Sequence, residues 1–215
     1  MFTGLIRHLG VIRSVREGRE SRVLTLAHDF ARAPRAGASI AVQGVCLTVL
    51  PGADGRLFSA ECHYATLKKS TLQFCRPGQK VHLEPALTLS DPLDGHLVQG
   101  HVSAMASVME NRPAGRGRSL TMELPESLRT EICREGSVAL DGVSLTVATL
   151  EEHSFSIQLI GETLRTSLLG SLHRGEKVNV EGDLLLRNRP ARGAGEFSKQ
   201  KSTITEQQLL QWGYV

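Results

Sequence analysis

The stretch Gly142-Val143-Ser144-Leu145-Thr146-Val147 decides the reading of this chain, because it is a second copy of Gly44-Val45-Cys46-Leu47-Thr48-Val49. Five of the six letters agree, and the sixth exchanges a thiol for a hydroxyl at a separation of 98 residues in a chain of 215. The flanks repeat at nearly the same offset. Gly78-Gln79-Lys80-Val81-His82-Leu83-Glu84 returns as Gly175-Glu176-Lys177-Val178-Asn179-Val180-Glu181, and Ala65-Thr66-Leu67 returns as Glu162-Thr163-Leu164. Phe2-Thr3-Gly4-Leu5 has a weaker echo in Val98-Gln99-Gly100-His101. A slowly drifting offset is what duplication followed by small loop changes produces, whereas a solenoid needs a shorter period and at least three copies. The reading is two homologous domains, 1–95 and 96–187, followed by a tail, 188–215.

Each copy reads mainly as short strands. Val11–Val15, Val23–Leu26, Ala38–Leu50, Arg56–Ala60 and Lys80–Glu84 are β-rich runs in the first half. Ala104–Met109, Ser119–Glu123, Val138–Leu150, Ser154–Ile160 and Lys177–Leu186 follow in the second. Gly44 lies inside one run, where a bulge or a ligand would bring the backbone close. Pro125 and Glu126 at a start and Gly136 just past an end predict a helix over Pro125–Glu135. Domains of this size with such strands bury a core best by closing into barrels, which also removes exposed edges. Six strands fit each barrel. The tail turns into a linker after Asn188, and a short helix is expected over Thr205–Trp212.

A hydrophobic fraction of 40% and a charged fraction of 22% fit a soluble globular chain, and no apolar run is long enough to span a membrane. The opening residues lack the pattern of a secretory signal, so a cytoplasmic location is expected. The formal charge of +3 is concentrated in residues 187–201, read as a solvated linker, and the near-neutral remainder argues against nucleic-acid binding. Cys46, Cys62, Cys75 and Cys133 have no metal-type spacing and read as free thiols, with no metal implied.

Ser144 and Thr146 alternate with Leu145, so their hydroxyls share a strand face. Satisfaction by neighbouring backbone is the plain alternative. Cys46 reads as a ligand contact, a nucleophile or a small buried apolar group, and Thr48 parallels Thr146. Asp183, beside Gly182, reads as a turn residue or as a carboxylate managing protons. His96 and His101 fall on opposite faces of an extended segment and are not expected to act as a pair.

Met1-Phe2-Thr3-Gly4, the paired G-V-[CS]-L-T-V segments, Gly95-His96-Leu97-Val98-Gln99-Gly100-His101 and Val178-Asn179-Val180-Glu181 with Asp183 resemble the riboflavin synthase family, alpha-chain type. The resemblance covers residue 1 to about 186. It implies an all-β fold of two tandem, homologous six-stranded Greek-key barrels and a short C-terminal helix that helps to build a homotrimer. It implies dismutation of two 6,7-dimethyl-8-ribityllumazine molecules by transfer of a four-carbon unit. The products are riboflavin and 5-amino-6-ribitylaminopyrimidinedione, with no added cofactor, two lumazines per site, sites between subunits and a functional link to lumazine synthase.

By motif position the resemblance places Ser144, Asp183, Cys46 and His101 in catalysis. It places Gly4, Leu5, Ile6, Cys46, Leu47, Thr48, Thr66, Gly100, His101, Val102, Ser144, Leu145, Thr146, Ile160, Gly161, Glu162, Thr163, Leu164 and Arg165 in substrate binding. Departures fall at Ala65, where members often carry Glu, at Gln43, where Asn often precedes the Gly, and at Glu135, where a Lys contacts ligand. The rival reading is a non-catalytic lumazine or flavin carrier of the same fold. One substrate in two roles suits two pockets of like shape and unlike polar groups, and Cys46 against Ser144, Ala65 against Glu162, Ala86 against Asp183 and Leu5 against His101 supply that contrast.

Overall fold

The computed structural model describes residues 1–187, so the expected linker and the helix over Thr205–Trp212 lie outside the described residues. The first six strands are β1 (His8–Glu17), β2 (Ser21–Ala27), β3 (Ser39–Val42), β4 (Val45–Val49), β5 (Leu57–His63) and β6 (Lys80–Pro85). The second six are β7 (Ala104–Ala114), β8 (Gly117–Glu123), β9 (Ser137–Leu140), β10 (Val143–Leu150), β11 (Ser154–Leu159) and β12 (Lys177–Gly182). Each set closes into an antiparallel barrel, in the order β1-β2-β5-β4-β3-β6 and, with the same connectivity, β7-β8-β11-β10-β9-β12. Strands β3, β4 and β5 run as consecutive hairpins, yet β5 pairs with β2 and β6 joins β3 to β1, the Greek-key route expected.

Alternation explains which face closes inward. In β10, Val143, Leu145 and Val147 are buried while Ser144 is half-buried and Thr146 exposed; in β4, Val45, Leu47 and Val49 are buried, Cys46 half-buried and Thr48 exposed. Irregularities are duplicated as well. The register slips after Ile12 in β1 and after Val108 in β7, positions 96 residues apart.

Several readings need correction. The helix expected over Pro125–Glu135 is only a 3-10 turn, Glu126–Leu128. Leu128 and Ile132 are drawn into the second core, and the Glu131 carbonyl accepts the Asp183 N–H, so tertiary contacts override the local capping signal. The runs Ala38–Leu50 and Val138–Leu150 are not single strands but hairpins, turning at Gln43-Gly44 and Asp141-Gly142. The backbone approaching Gly44 is that of Gly142 rather than a ligand: a Cβ on Gly44 would sit 2.5 Å from the Gly142 nitrogen. Both glycines have positive φ, +75° and +81°, and the two turns meet where the barrels join. Similarly, Lys177–Leu186 ends as a strand at Gly182, and Leu184–Arg187 is a short helix.

Candidate functional site

The segments leading into the two barrels change places. Phe2 N–H donates to Val98 O at 2.7 Å and Val98 N–H donates to Phe2 O at 3.1 Å, so these equivalent residues pair with each other. From there the first segment crosses to the second barrel. Ser144 N–H donates to Gly4 O at 2.8 Å, and Ile6 is buried in the second hydrophobic core. The second segment crosses the other way: Cys46 N–H donates to Gly100 O at 2.9 Å, and Val102 packs on the first core. Both contacts need a bare Cα. A Cβ on Gly4 would lie 2.6 Å from Ser144 Cβ, and one on Gly100 would lie 2.6 Å from Cys46 Cβ.

Each closing strand holds its own lead segment by a buried carboxylate. Glu84 accepts from Thr3 N–H at 2.7 Å, Thr3 Oγ1–H at 2.8 Å and Gly4 N–H at 3.1 Å. Glu181 accepts from Gln99 N–H at 2.7 Å and Gly100 N–H at 2.9 Å. Burial pushes both carboxyls above the usual carboxylate range, and these donors offset part of that cost. The two glutamates end the Lys-Val-x-x-Glu repeat, which marked them in the sequence without revealing what they hold.

The expected residues fall in two sets, one along each barrel. Around the second barrel lie Ser144 and Thr146 of β10, the Gly4-Leu5-Ile6 crossing and, near in sequence to β11, the exposed Ile160 and helix Gly161–Thr166. In that helix Thr163 and Leu164 are half-buried, and Arg165 forms a surface ion pair with Glu162 at 2.6 Å. Around the first barrel lie Cys46 and Thr48 of β4, the Gly100-His101-Val102 crossing and helix Tyr64–Leu67 carrying Thr66. Leu47 and Leu145 line the cores instead. A cleft of about 200 Å³ bordered by Leu5, Glu84 and Ala86 is lined by neither motif hydroxyl nor thiol.

The histidines separate as expected. His101 is exposed and belongs to the first-barrel set, whereas His96 lies with the second, its Nδ1 2.7 Å from Ser144 Oγ. Sequence spacing had not joined His96 to Ser144, because the link depends on the chain crossing. Burial holds the His96 ring below the usual imidazole range while the Asp183 charge opposes that shift. Asp183 also behaves as the turn residue that its neighbour Gly182 suggested: its Oδ1 accepts the Leu185 N–H at 2.9 Å. No hydrogen bond joins Asp183 to Ser144 among the described residues.

Sequence reasoning missed the network between the barrels. His82 N–H donates to Gln43 Oε1 at 2.7 Å, and Gln43 Nε2 donates to Asp141 Oδ2 at 3.2 Å. Asn179 N–H donates to Asp141 Oδ1 at 2.8 Å, and Asn179 Nδ2 donates to Gln43 O at 2.8 Å. Gln43, which stands where Asn often precedes the Gly, is thus occupied in holding the barrels together. Arg187 likewise differs from a solvated linker residue: it is half-buried, 3.1 Å from Glu131 and 2.7 Å from Ser103 Oγ.

Closed barrels and crossed lead segments, repeated in the two halves, define a tandem-barrel protein. The family described as lumazine binding domain matches residues 3–86 and 99–183. Riboflavin synthase of Brucella abortus (strain 2308) is 39% identical over 87% of this chain and 95% of its own length. The enzyme of Mycobacterium bovis is 37% identical over 91% and 100%, and that of Bacillus subtilis is 31% identical over 100% of both chains. Among solved structures, LumP complexed with riboflavin superposes with a TM-score of 0.77 at 22% identity, covering 85% of this chain and 99% of LumP, a likeness of fold. The chain belongs to the riboflavin synthase family.

Proposed function

We propose that this chain is an enzyme that dismutates two 6,7-dimethyl-8-ribityllumazine molecules by moving a four-carbon unit from one to the other. The products are riboflavin and 5-amino-6-ribitylaminopyrimidinedione, and no added cofactor takes part. The observation that carries the reading is a duplicated mould with unequal chemistry. Cys46 and Ser144 each donate a backbone N–H to an equivalent crossing glycine, but among the described residues only Ser144 has a histidine hydrogen-bonded to its side chain. Two copies of one ligand would be held alike and treated unlike.

In this reading Ser144, Asp183, Cys46 and His101 are the catalytic groups, with Thr48, Thr146, Thr66, Thr163 and the crossing segments holding the lumazines. Chain regions 1–95 and 96–187 act as the two binding domains. The hydroxyl- and thiol-bearing strand faces point outward, so an enclosed site needs a second wall. A homotrimer in which the first barrel of one subunit meets the second barrel of its neighbour supplies that wall. Cytoplasmic placement and a functional link to lumazine synthase, as a source of substrate, belong to the same proposal; no helix among the described residues is long and apolar enough to cross a membrane.

The test is an assay with the lumazine as sole substrate. Riboflavin formed with one pyrimidinedione per turnover supports the enzyme. Tight binding that alters lumazine fluorescence without turnover supports the carrier reading, which the first-half departures at Ala65 and Gln43 favour.

A further inference from the structure

We infer that His96 is a positioning residue of the reaction, the group that receives the Ser144 hydroxyl proton when Ser144 draws a proton from the ring methyl of the donor lumazine. The inference rests on the function proposed above.

Three features of the site carry it. The Ser144 Oγ–His96 Nδ1 separation of 2.7 Å is a short, direct hydrogen bond between groups 48 residues apart. The other ring nitrogen, Nε2, is buried and has no partner. Leaving that nitrogen buried and unpaired costs about 1–3 kcal/mol, so the bond to Ser144 is the one polar contact of the ring among the described residues. Finally, the backbone is forced into this place: a Cβ on Gly95 would overlap Thr3 O and come 3.2 Å from Ser144 Oγ. The chain uses a glycine just before His96 to bring the ring onto the serine.

The chemistry balances. A methyl group conjugated with an electron-poor ring is acidic. Its C–H bond breaks, the proton joins Ser144 Oγ, and the electron pair passes into the ring as an exomethylene anion. The former Ser144 proton moves to His96 Nδ1, giving an imidazolium beside the Asp183 charge. Back-transfer of both protons restores the methyl and the resting groups, which is the exchange that deuterium uptake reads; in turnover the His96 proton returns to Ser144 Oγ as Ser144 gives its own to a substrate atom that gains one during the four-carbon transfer. Burial lowers the proton affinity of His96, so the ring is neutral and able to accept near pH 7. Counterparts in the first barrel sharpen the point: Cys46 meets Gly100 in the way that Ser144 meets Gly4, but Cys46 has no hydrogen-bonded histidine among the described residues.

The test compares His96→Asn and His96→Gln with the full chain as it stands. Asn keeps an acceptor close to the Nδ1 position but cannot take up a proton near neutral pH. Deuterium uptake into the lumazine ring methyl, followed by proton NMR, reads the proposed step; riboflavin formation gives kcat and KM, and melting temperature reads folding. Both variants should lose about 10²-fold in kcat and in deuterium uptake, with KM within about threefold. The wild-type acid limb of kcat, expected below pH 6.5, should disappear in His96→Asn. Unchanged kcat and uptake in an active background overturn the inference. So does a loss of activity that tracks a lower melting temperature while the acid limb persists. If the wild-type chain forms no riboflavin, the functional reading itself falls, a result separate from either.

Discussion

His82 and Asn179 make the same pair of hydrogen bonds across the junction of the barrels, one with a ring and the other with an amide. His82 Nδ1 lies 2.9 Å from Asp141 O and its Nε2 accepts the Leu168 N–H at 2.8 Å. Asn179 Nδ2 donates to Gln43 O at 2.8 Å and its Oδ1 accepts the Thr71 N–H at 2.7 Å. Because Nε2 accepts, Nδ1 carries the ring proton, and His82 is neutral.

That substitution has a measurable consequence. Burial lowers His82 from 6.5 to about 4 and raises Asp141 from 3.8 to about 7. Between pH 4 and 6.5 the unfolded chain carries the proton on the histidine, which lowers stability as pH falls. Over the same range the folded chain carries it on the aspartate, which lowers stability as pH rises. The two slopes cancel. His82→Asn should therefore expose the aspartate alone: relative to wild type, unfolding free energy falls by about 1.4 kcal/mol per pH unit across this window. Asp141→Asn should give the opposite slope. Urea titrations at several pH values check this, and parallel lines for all three proteins would show that the pair does not exchange a proton on folding.

The crossing at Ser144 should be intolerant of a single added methyl. Gly4→Ala places an L-residue at φ +76° and drives its Cβ to 2.6 Å from Ser144 Cβ. Gly37, at φ +82°, has nothing within 4 Å of the same position. Gly37→Ala should cost only the backbone penalty, roughly 1–2 kcal/mol. Gly4→Ala adds overpacking to it, for a total of about 3 kcal/mol or more. Equal costs in denaturant unfolding would mean that the lead segment yields easily and that its crossing is loosely held.

Much of this architecture was legible before any coordinates. The alternation of Ser144 and Thr146 with Leu145 puts both hydroxyls on one strand face, and the offset of the Lys-Val-x-x-Glu copies gives two like units. What stayed hidden depends on contacts far apart in sequence. Nothing local to Ile6 says that it is buried in the other barrel. The Ser144–His96 bond follows from that crossing, as does the use of Gln43. The helix reading at Pro125 failed for a related reason, since Leu128 and Ile132 serve the second core better than they serve a helix face.

The four free thiols should react in two classes. Cys62 and Cys75 are buried, and burial pushes them up to about 11 and about 12. Their thiolate fraction at pH 8 is about 10⁻³ or less. Cys46 and Cys133 are half-buried. A maleimide applied to native protein at pH 8 should label Cys46 and Cys133 first, and label Cys62 and Cys75 only after denaturant is added. Peptide mass mapping reads the order. If lumazine covers the first-barrel set, it should protect Cys46 and leave Cys133 unchanged.

The outward direction of both motif strands leads to the most demanding test. Thr48 and Thr146 are exposed, and each sits on a face opposite to its own core. If one subunit's first barrel completes the site on its neighbour's second barrel, defects in the two faces need not coincide. Ser144→Ala should lower turnover more than lumazine binding, because the hydroxyl acts in the proton step while the ring is held by other groups. Thr48→Val should weaken the opposite face. Each variant alone places one defect at every site. Denatured together and refolded, the mixture forms some sites from two intact faces, about a quarter in random assemblies. Riboflavin formation should then recover to about that fraction of wild type. Verified mixed assemblies with no recovery would place both lumazines on one chain, and the outward faces would need another explanation.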